Sequence, residues 1–200
     1  NNNTDELELY PTGIPLKRTG KDLVKLGDLF DFDREDLFVD GTSKLQSTKC
    51  DENGKYDFIT AADDWKKHSE YSHDVEALIY AVSAGGSLGK SQYVNGQFIC
   101  SNLCTILTKK DCSDREINMR FFNEYLNRIR EDIVDSIADG TSKLTLKIKD
   151  ISEYYIEYIP IEQQNKFVSE YLNKLDEKKK ELNDMIHSVA DAMDEMIKER

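Results

Sequence analysis

At 200 residues the chain has room for one globular domain with a real core plus an extension, and no room for a second enzyme domain. Its 27 basic and 39 acidic side chains give a net charge of −12, the wrong sign for indiscriminate nucleic-acid binding, so a polyanionic partner would have to meet a local basic face. No apolar run approaches the ~18 residues of a membrane span and no signal-peptide pattern opens the chain, which predicts a cytoplasmic protein without a membrane partner.

The chain opens Asn1-Asn2-Asn3-Thr4 without a methionine, as a processed, trimmed or tag-cleaved product would. Residues 1–20 are polar, carry Pro11 and Pro15 and lack periodicity, so they are read as an N-terminal arm or linker. Leu23, Val24, Leu26, Leu29 and Phe30 form the first apolar anchor, followed by the acidic stretch 31–36 and a turn at Asp40-Gly41. Tyr56 to Thr60 predicts a strand. Asp63 to His68, around the sole tryptophan, Trp65, predicts a surface loop or a single helical turn. Val75 to Ser83 predicts a buried strand running into Gly85-Gly86. Gln92-Tyr93-Val94 and Gln97-Phe98-Ile99-Cys100 flank Asn95-Gly96, the dipeptide of a type I′ turn, which predicts a hairpin. Leu103 to Leu107 continues the sheet.

Ser113 with Glu116 three residues later makes a capping box, and Met119, Phe122, Leu126, Ile129 and Ile133 follow at helical spacing. One helix is predicted over about 114–138, ended by Asp139-Gly140. Leu144, Leu146 and Ile148 alternate as a strand, and Tyr155 to Ile159 forms a last extended piece before Pro160, which suits the start of a helix. From Ile161 to Glu199 there is neither Gly nor Pro. There Val168, Leu172, Leu175, Leu182, Ile186, Val189, Met193 and Met196 recur at alternating spacings of four and three, with Lys179 filling one place, and this is a heptad seam. A helix of that length is about 58 Å long at ~1.5 Å per residue. So thin a stripe on so long a rod calls for another helix beside it, and Lys179 limits the registers and partners it accepts. The predicted fold class is α+β: residues 21–160 form a sheet-rich domain with packed helices, and residues 161–200 follow as one long C-terminal coiled-coil helix.

Several chemical motifs are weighed along the chain. Ala84 to Ser91 satisfies a relaxed phosphate-loop pattern, but Ser91 leads into a strand where a nucleotide loop must lead into a helix, so nucleotide binding is not expected. The same residues offer another use: Gly85, Gly86 and Gly89 let a backbone approach a charged partner, with Ser87, Lys90, Ser91 and Tyr93 around them. Ala77 to Lys110 contains Lys90, Lys109 and Lys110 and no acid at all, and is where a polyanion would be sought. Lys66 and Lys67 beside Trp65 could add backbone contacts. The hexapeptide Asp40 to Leu45 recurs letter for letter as Asp139 to Leu144, so Thr42, Ser43 and Lys44 are matched by Thr141, Ser142 and Lys143, groups that suit a phosphate or a base edge and equally make ordinary turns. His68, His73 and His187 lack metal spacing. Cys50, Cys100, Cys104 and Cys112 include no C-x-x-C pair and are read as reduced thiols. No nucleophile–base constellation or dinucleotide fingerprint is present, so no catalytic residue, metal site or cofactor is assigned.

The order of these features resembles a known family. Lys25-Leu26-Gly27-Asp28-Leu29, the connection Gly85-Gly86-Ser87-Leu88-Gly89, the helix segment Phe121-Phe122-Asn123-Glu124-Tyr125-Leu126, Gly140-Thr141-Ser142, and Ile159-Pro160-Ile161-Glu162-Gln163-Gln164 opening a long helix are similar to one target-recognition domain plus conserved helix of a type I restriction–modification specificity (S) subunit. The second proline and second glutamate usual at that junction are absent, and the family's typical subunit carries two such domains and two helices. The resemblance implies a non-catalytic reader of double-stranded DNA. The recognition domain would contact half of a split target, the helix would set the spacing and join a second copy as a homodimer, and a methyltransferase subunit would dock and methylate adenine. S-adenosylmethionine, and Mg and ATP for any restriction subunit, would belong to those partners. Two other readings stay open: a recognition module of a fused methyltransferase or restriction enzyme, and a coiled-coil protein adaptor that never touches DNA.

Overall fold

The computed structural model describes residues 19–33, 38–39, 42–43, 51, 53–83, 85–141 and 144–198, with 38–39 and 42–43 as backbone. The chain divides into two compact units, residues 1–158 and 159–200.

In the first unit, β1 (Leu23–Lys25) pairs antiparallel with β10 (Tyr155–Glu157), so the start and end of the unit close on each other through Leu23↔Glu157 and Val24↔Ile156. A single turn, α1 (Leu26–Leu29), leads to β2 (Phe30–Asp33), and the apolar anchor Leu26, Leu29 and Phe30 is fully buried. Two short strands, β3 (Phe38–Val39) and β4 (Thr42–Ser43), pair with each other. The main sheet adds β5 (Tyr56–Ile59), β6 (Lys66–His68), β7 (His73–Ala81), β8 (Ser91–Cys100) and β9 (Cys104–Lys109) in the order β2-β9-β7-β8-β5-β6. Only β5 and β8 run parallel; the other pairings are antiparallel.

The central strand β7 is apolar on both sides because both faces of the sheet are covered. Leu78 and Tyr80 join a core with Phe122, Leu126 and Ile133 of the helices, while Ala77, Ile79 and Ala81 join Val94, Phe98, Cys100, Cys104 and Ile106 on the opposite face, with Trp65 packed alongside. That is why Ala77 to Val82 reads as an unbroken apolar run. Cys100 and Cys104 are buried there as free thiols, and burial pushes the Cys104 thiol up to about 12.

Asn95-Gly96 does not reverse the chain, which corrects the predicted hairpin. β8 runs straight through it in unbroken register with β7, from Tyr80↔Ser91 to His73↔Phe98. Gly96 supplies its positive φ of 116° to bend the strand instead. The bend is needed: Ile59 pairs with Cys100 at one end of β8, yet the carbonyl of Thr60 accepts from Gln92 Nε2 at 2.6 Å near the other end. A straight ten-residue strand, about 30 Å long, would hold those ends apart.

The helical layer departs from expectation in two places. The predicted helix over 114–138 is two helices, α2 (Met119–Arg128) and α3 (Arg130–Ile137), meeting at Ile129. Its cap is Asn118, whose side-chain oxygen accepts from Arg120 N at 3.1 Å and Phe121 N at 3.3 Å. Ser113 takes only the Arg115 N–H, in the turn before. The expected strand Leu144–Ile148 is also absent. Asp139 and Thr145 exchange both backbone hydrogen bonds at 2.9 Å as an isolated bridge, and Ile148 already begins α4 (Ile148–Ser152). Of the alternating residues Leu146 is buried while Leu144 is 47% exposed. Asp63 to His68, read as a loop or helical turn, ends in strand β6.

The second unit is the long helix of 38 residues: α5 (Ile161–Phe167), a π turn (Val168–Leu172) and α6 (Asn173–Lys198). Pro160 caps it, and Gln164, fully buried, donates through Nε2 to Ile159 O at 2.6 Å. Val168 and Leu172 are buried and Leu175 is half-buried. Beyond them the seam is open: Leu182, Ile186, Val189, Met193 and Met196 are 55–67% exposed, and Met185 and Ile197 beside them are as bare. Lys179 lies exposed in its predicted place on this stripe. No helix among the described residues is long and apolar enough to cross a membrane.

Candidate nucleic-acid interface

The bend in β8 draws several connections of the first unit together. Gln92 receives the Trp65 indole N–H on its Oε1 at 2.6 Å and donates to Thr60 O, so the segment after β5 is pinned to the start of β8. Lys90 Nζ pairs with Asp63 in the same segment. Val82 N–H bonds Leu103 O at 2.8 Å, and Val82 O accepts from Leu146 N at 2.9 Å, which brings the turn before β9 and the 139–146 segment to the end of β7. Segments from three other parts of the sequence thus meet around the glycine-rich connection between β7 and β8.

That connection is held firmly. Gly85–Ser87 forms a 3-10 turn. Leu88 N bonds Gly85 O at 3.0 Å, and Gly89 N bonds Ala81 O at 2.8 Å. From α3, Arg130 donates Nε to Leu88 O at 2.6 Å and Nη2 to Gly86 O. At the start of β8, Asn127 of α2 holds both backbone polar groups of Ser91. Neither Arg130 nor Asn127 is visible as a site residue in the sequence, because each acts on backbone atoms more than thirty residues away.

The predicted contact residues are distributed as follows. Lys66 and Lys67 lie exposed on the edge strand β6, where Lys66 pairs with Asp64 at 2.6 Å and Lys67 with Asp57 at 2.7 Å. The Lys66 ammonium holds the Asp64 carboxyl below the usual carboxylate range. Lys90 and Lys66 come to one segment through Asp63 and its neighbour Asp64. Ser87 is half-exposed on the glycine turn, and Thr141 is exposed. Ser91, expected at the contact surface, is instead buried beneath it, since it packs under α2. Tyr93 is half-buried and donates its hydroxyl to Glu76 at 2.9 Å; burial, then that hydrogen bond, pushes its phenol up to about 12. Lys44, Ser142, Lys143 and the Thr42 side chain lie outside the described residues.

At Thr42 and Thr141, the one aligned position of the repeated hexapeptide described in both copies, the structures differ. Thr42 is in a strand paired with Val39, whereas its counterpart Thr141 lies in a bend after Gly140, whose φ is 125°. Asp139 receives Lys147 Nζ at 2.5 Å, and this ammonium holds its carboxyl below the usual range. Among the described residues no group of three or more His, Cys, Asp or Glu side chains is placed to hold a metal ion.

The arrangement offers a rim of lysines, Lys66 and Lys67 exposed and Lys90 more deeply set, each engaged by a carboxylate. The exposed pairs of Lys66 and Lys67 are worth ~0–1 kcal/mol, so a phosphate can take the place of the aspartate there at little cost.

Over residues 19–188 the sequence matches the family model of the type I restriction modification DNA specificity domain. No curated protein sequence matches it. Among solved structures, the S subunit of a type I restriction–modification system from M. genitalium is similar at a TM-score of 0.64 and 18% identity, with 86% of this chain and 44% of that one covered. A chain from a type I restriction–modification system studied for complex assembly and conformational transition gives 0.54 and 16%, covering 93% and 46%. The HsdS subunit from Thermoanaerobacter tengcongensis gives 0.53 and 16%, covering 83% and 40%. The likeness is one of fold, and the chain spans less than half the length of each.

Proposed function

Because the chain belongs to the family of type I restriction modification DNA specificity domains, we propose that it reads DNA sequence for a partner enzyme and carries no reaction itself. The first unit is the target-recognition domain and the long helix is the spacer. The observation that carries this reading is that one family match runs through both units, from residue 19 to residue 188.

The partner is a methyltransferase subunit that holds S-adenosylmethionine and methylates adenine at N6, with a restriction subunit, where one joins, supplying Mg and ATP chemistry. This chain contributes the address. Its recognition domain contacts half of a split site through the loops around the glycine-rich connection and the lysine rim of Lys66, Lys67 and Lys90. The open seam from Leu182 to Met196 supports pairing with a second copy, and two copies related by a two-fold axis would read an interrupted palindrome.

Duplex binding against salt tests the proposal. Phosphate contacts release counterions, so affinity must fall steeply with salt, with a log–log slope near −0.9 per contact. Binding that is absent with the methyltransferase present, or indifferent to salt, would leave a protein adaptor in its place.

A further inference from the structure

The three glycines of the β7–β8 connection have three different explanations, and only two of them lie within the fold. Gly85 has a φ of 54°. Gly89 has a φ of 76°, and a Cβ there would meet Val134 Cγ2 at 2.9 Å and Arg130 Cγ at 3.1 Å. The fold needs both as glycine. Gly86 has an ordinary φ, and a Cβ built on it would meet nothing within 4 Å. Among the described residues nothing asks for glycine at that position.

The turn that carries Gly86 is nevertheless fixed in place. The Arg130 guanidinium grips the Gly86 and Leu88 carbonyls from the α3 side, and Leu88 is buried beneath the turn. Its outer surface is bare, and the whole stretch from Ala77 to Lys110 contains no acidic side chain, in a chain of net charge −12. Lys90, on the same connection, is the nearest cation in sequence. A rigid turn that shows bare backbone at Gly85 and Gly86 and carries no acid of its own, with Asp63 held by Lys90, suits close approach to a polyanion, where a side chain would hold the backbone off.

We propose that the Gly85-Gly86-Ser87 turn is a direct contact point with DNA, that Gly86 is glycine because the duplex lies against it, and that Arg130 is a positioning residue that holds the turn for this contact without touching DNA. This rests on the DNA-reading function proposed above. The test is duplex binding by the full chain in its methyltransferase complex, on a duplex carrying the motif that the complex methylates in the cell and on one with the motif scrambled. Gly86→Val, and in lesser degree Gly86→Ala, should melt as the parent does yet bind the motif duplex at least about tenfold more weakly. Arg130→Gln should reduce the preference for motif over scrambled duplex while leaving the salt slope unchanged, with partial rescue by Arg130→Lys. Parent-like binding by Gly86→Val overturns the contact while leaving the DNA-reading function standing. A slope lowered by about one in Arg130→Gln would show that the guanidinium itself meets a phosphate and overturn its positioning role. A parent complex with no motif preference overturns both proposals together.

Discussion

Asn127 clasps the peptide of Ser91 from both sides: its Oδ1 accepts the Ser91 N–H at 2.9 Å, and its Nδ2 donates to the Ser91 carbonyl at 2.9 Å. One amide side chain on α2 thereby fixes where β8 begins and where the glycine-rich connection ends. Asn127→Ala leaves a donor and an acceptor of a buried residue without partners. It should destabilise the first unit by about 2–6 kcal/mol, since each of the two orphaned groups costs ~1–3 kcal/mol. Urea denaturation of the full chain checks this, and an unchanged midpoint would show that the strand start is held by other means.

The lysine rim makes a different prediction. Lys66→Ala, Lys67→Ala and Lys90→Ala should leave folding intact, because their partners Asp64, Asp57 and Asp63 are exposed and rehydrate. Each should weaken binding to motif and scrambled duplexes alike and lower the salt slope by roughly 0.9. If the triple variant keeps the parent slope, the DNA backbone runs elsewhere.

Acid should weaken the Asp139–Lys147 pair. Lys147 lowers the folded-state pKa of Asp139 below its ordinary 3.8, so the pair's contribution is complete above that value and is lost as pH falls through the lower folded value. An NMR titration of the Asp139 carboxyl should report the depressed midpoint, and Lys147→Ala should return it to the ordinary range. A parent midpoint at the ordinary value would show that the pair does not persist in solution.

Much of this fold could be read from residue order, and what could not was tertiary in origin. The apolar run of β7 and the long helix after Pro160 are local patterns and are present as expected, and the spacing from Met119 to Ile133 is helical too, though split between α2 and α3. Asn95-Gly96 misled because a positive-φ residue can bend a strand as well as reverse it. The choice was made by the distant Thr60–Gln92 and Ile59–Cys100 contacts. Ser113 and Glu116 had the letters of a capping box, but Asn118 supplies the cap and Ile117 is buried ahead of it. Within the identical hexapeptides Thr42 and Thr141 differ because Thr42 belongs to a strand pair, whereas the segment after Thr141 is tied through Leu146 to the end of β7. Lys90 was legible in an acid-free stretch, and Lys66 and Lys67 as a basic pair beside Trp65. Their carboxylate partners, and the Arg130 and Asn127 braces, depend on through-space contacts that no spacing encodes.

The open seam of the long helix carries its own prediction. Leu182 lies on the exposed stripe with Ile186, Val189 and Met193. Leu182→Asp should convert a dimer to a monomer in sedimentation while the first unit melts unchanged. A dimer that survives the substitution would place the interface on another surface.

The most direct measurement of the central claim is a methylome map of the source cell with and without this gene. A reader that addresses an adenine methyltransferase predicts that one methylated adenine motif disappears when the gene is removed and returns when it is restored. A methylome unchanged by its removal would contradict the account.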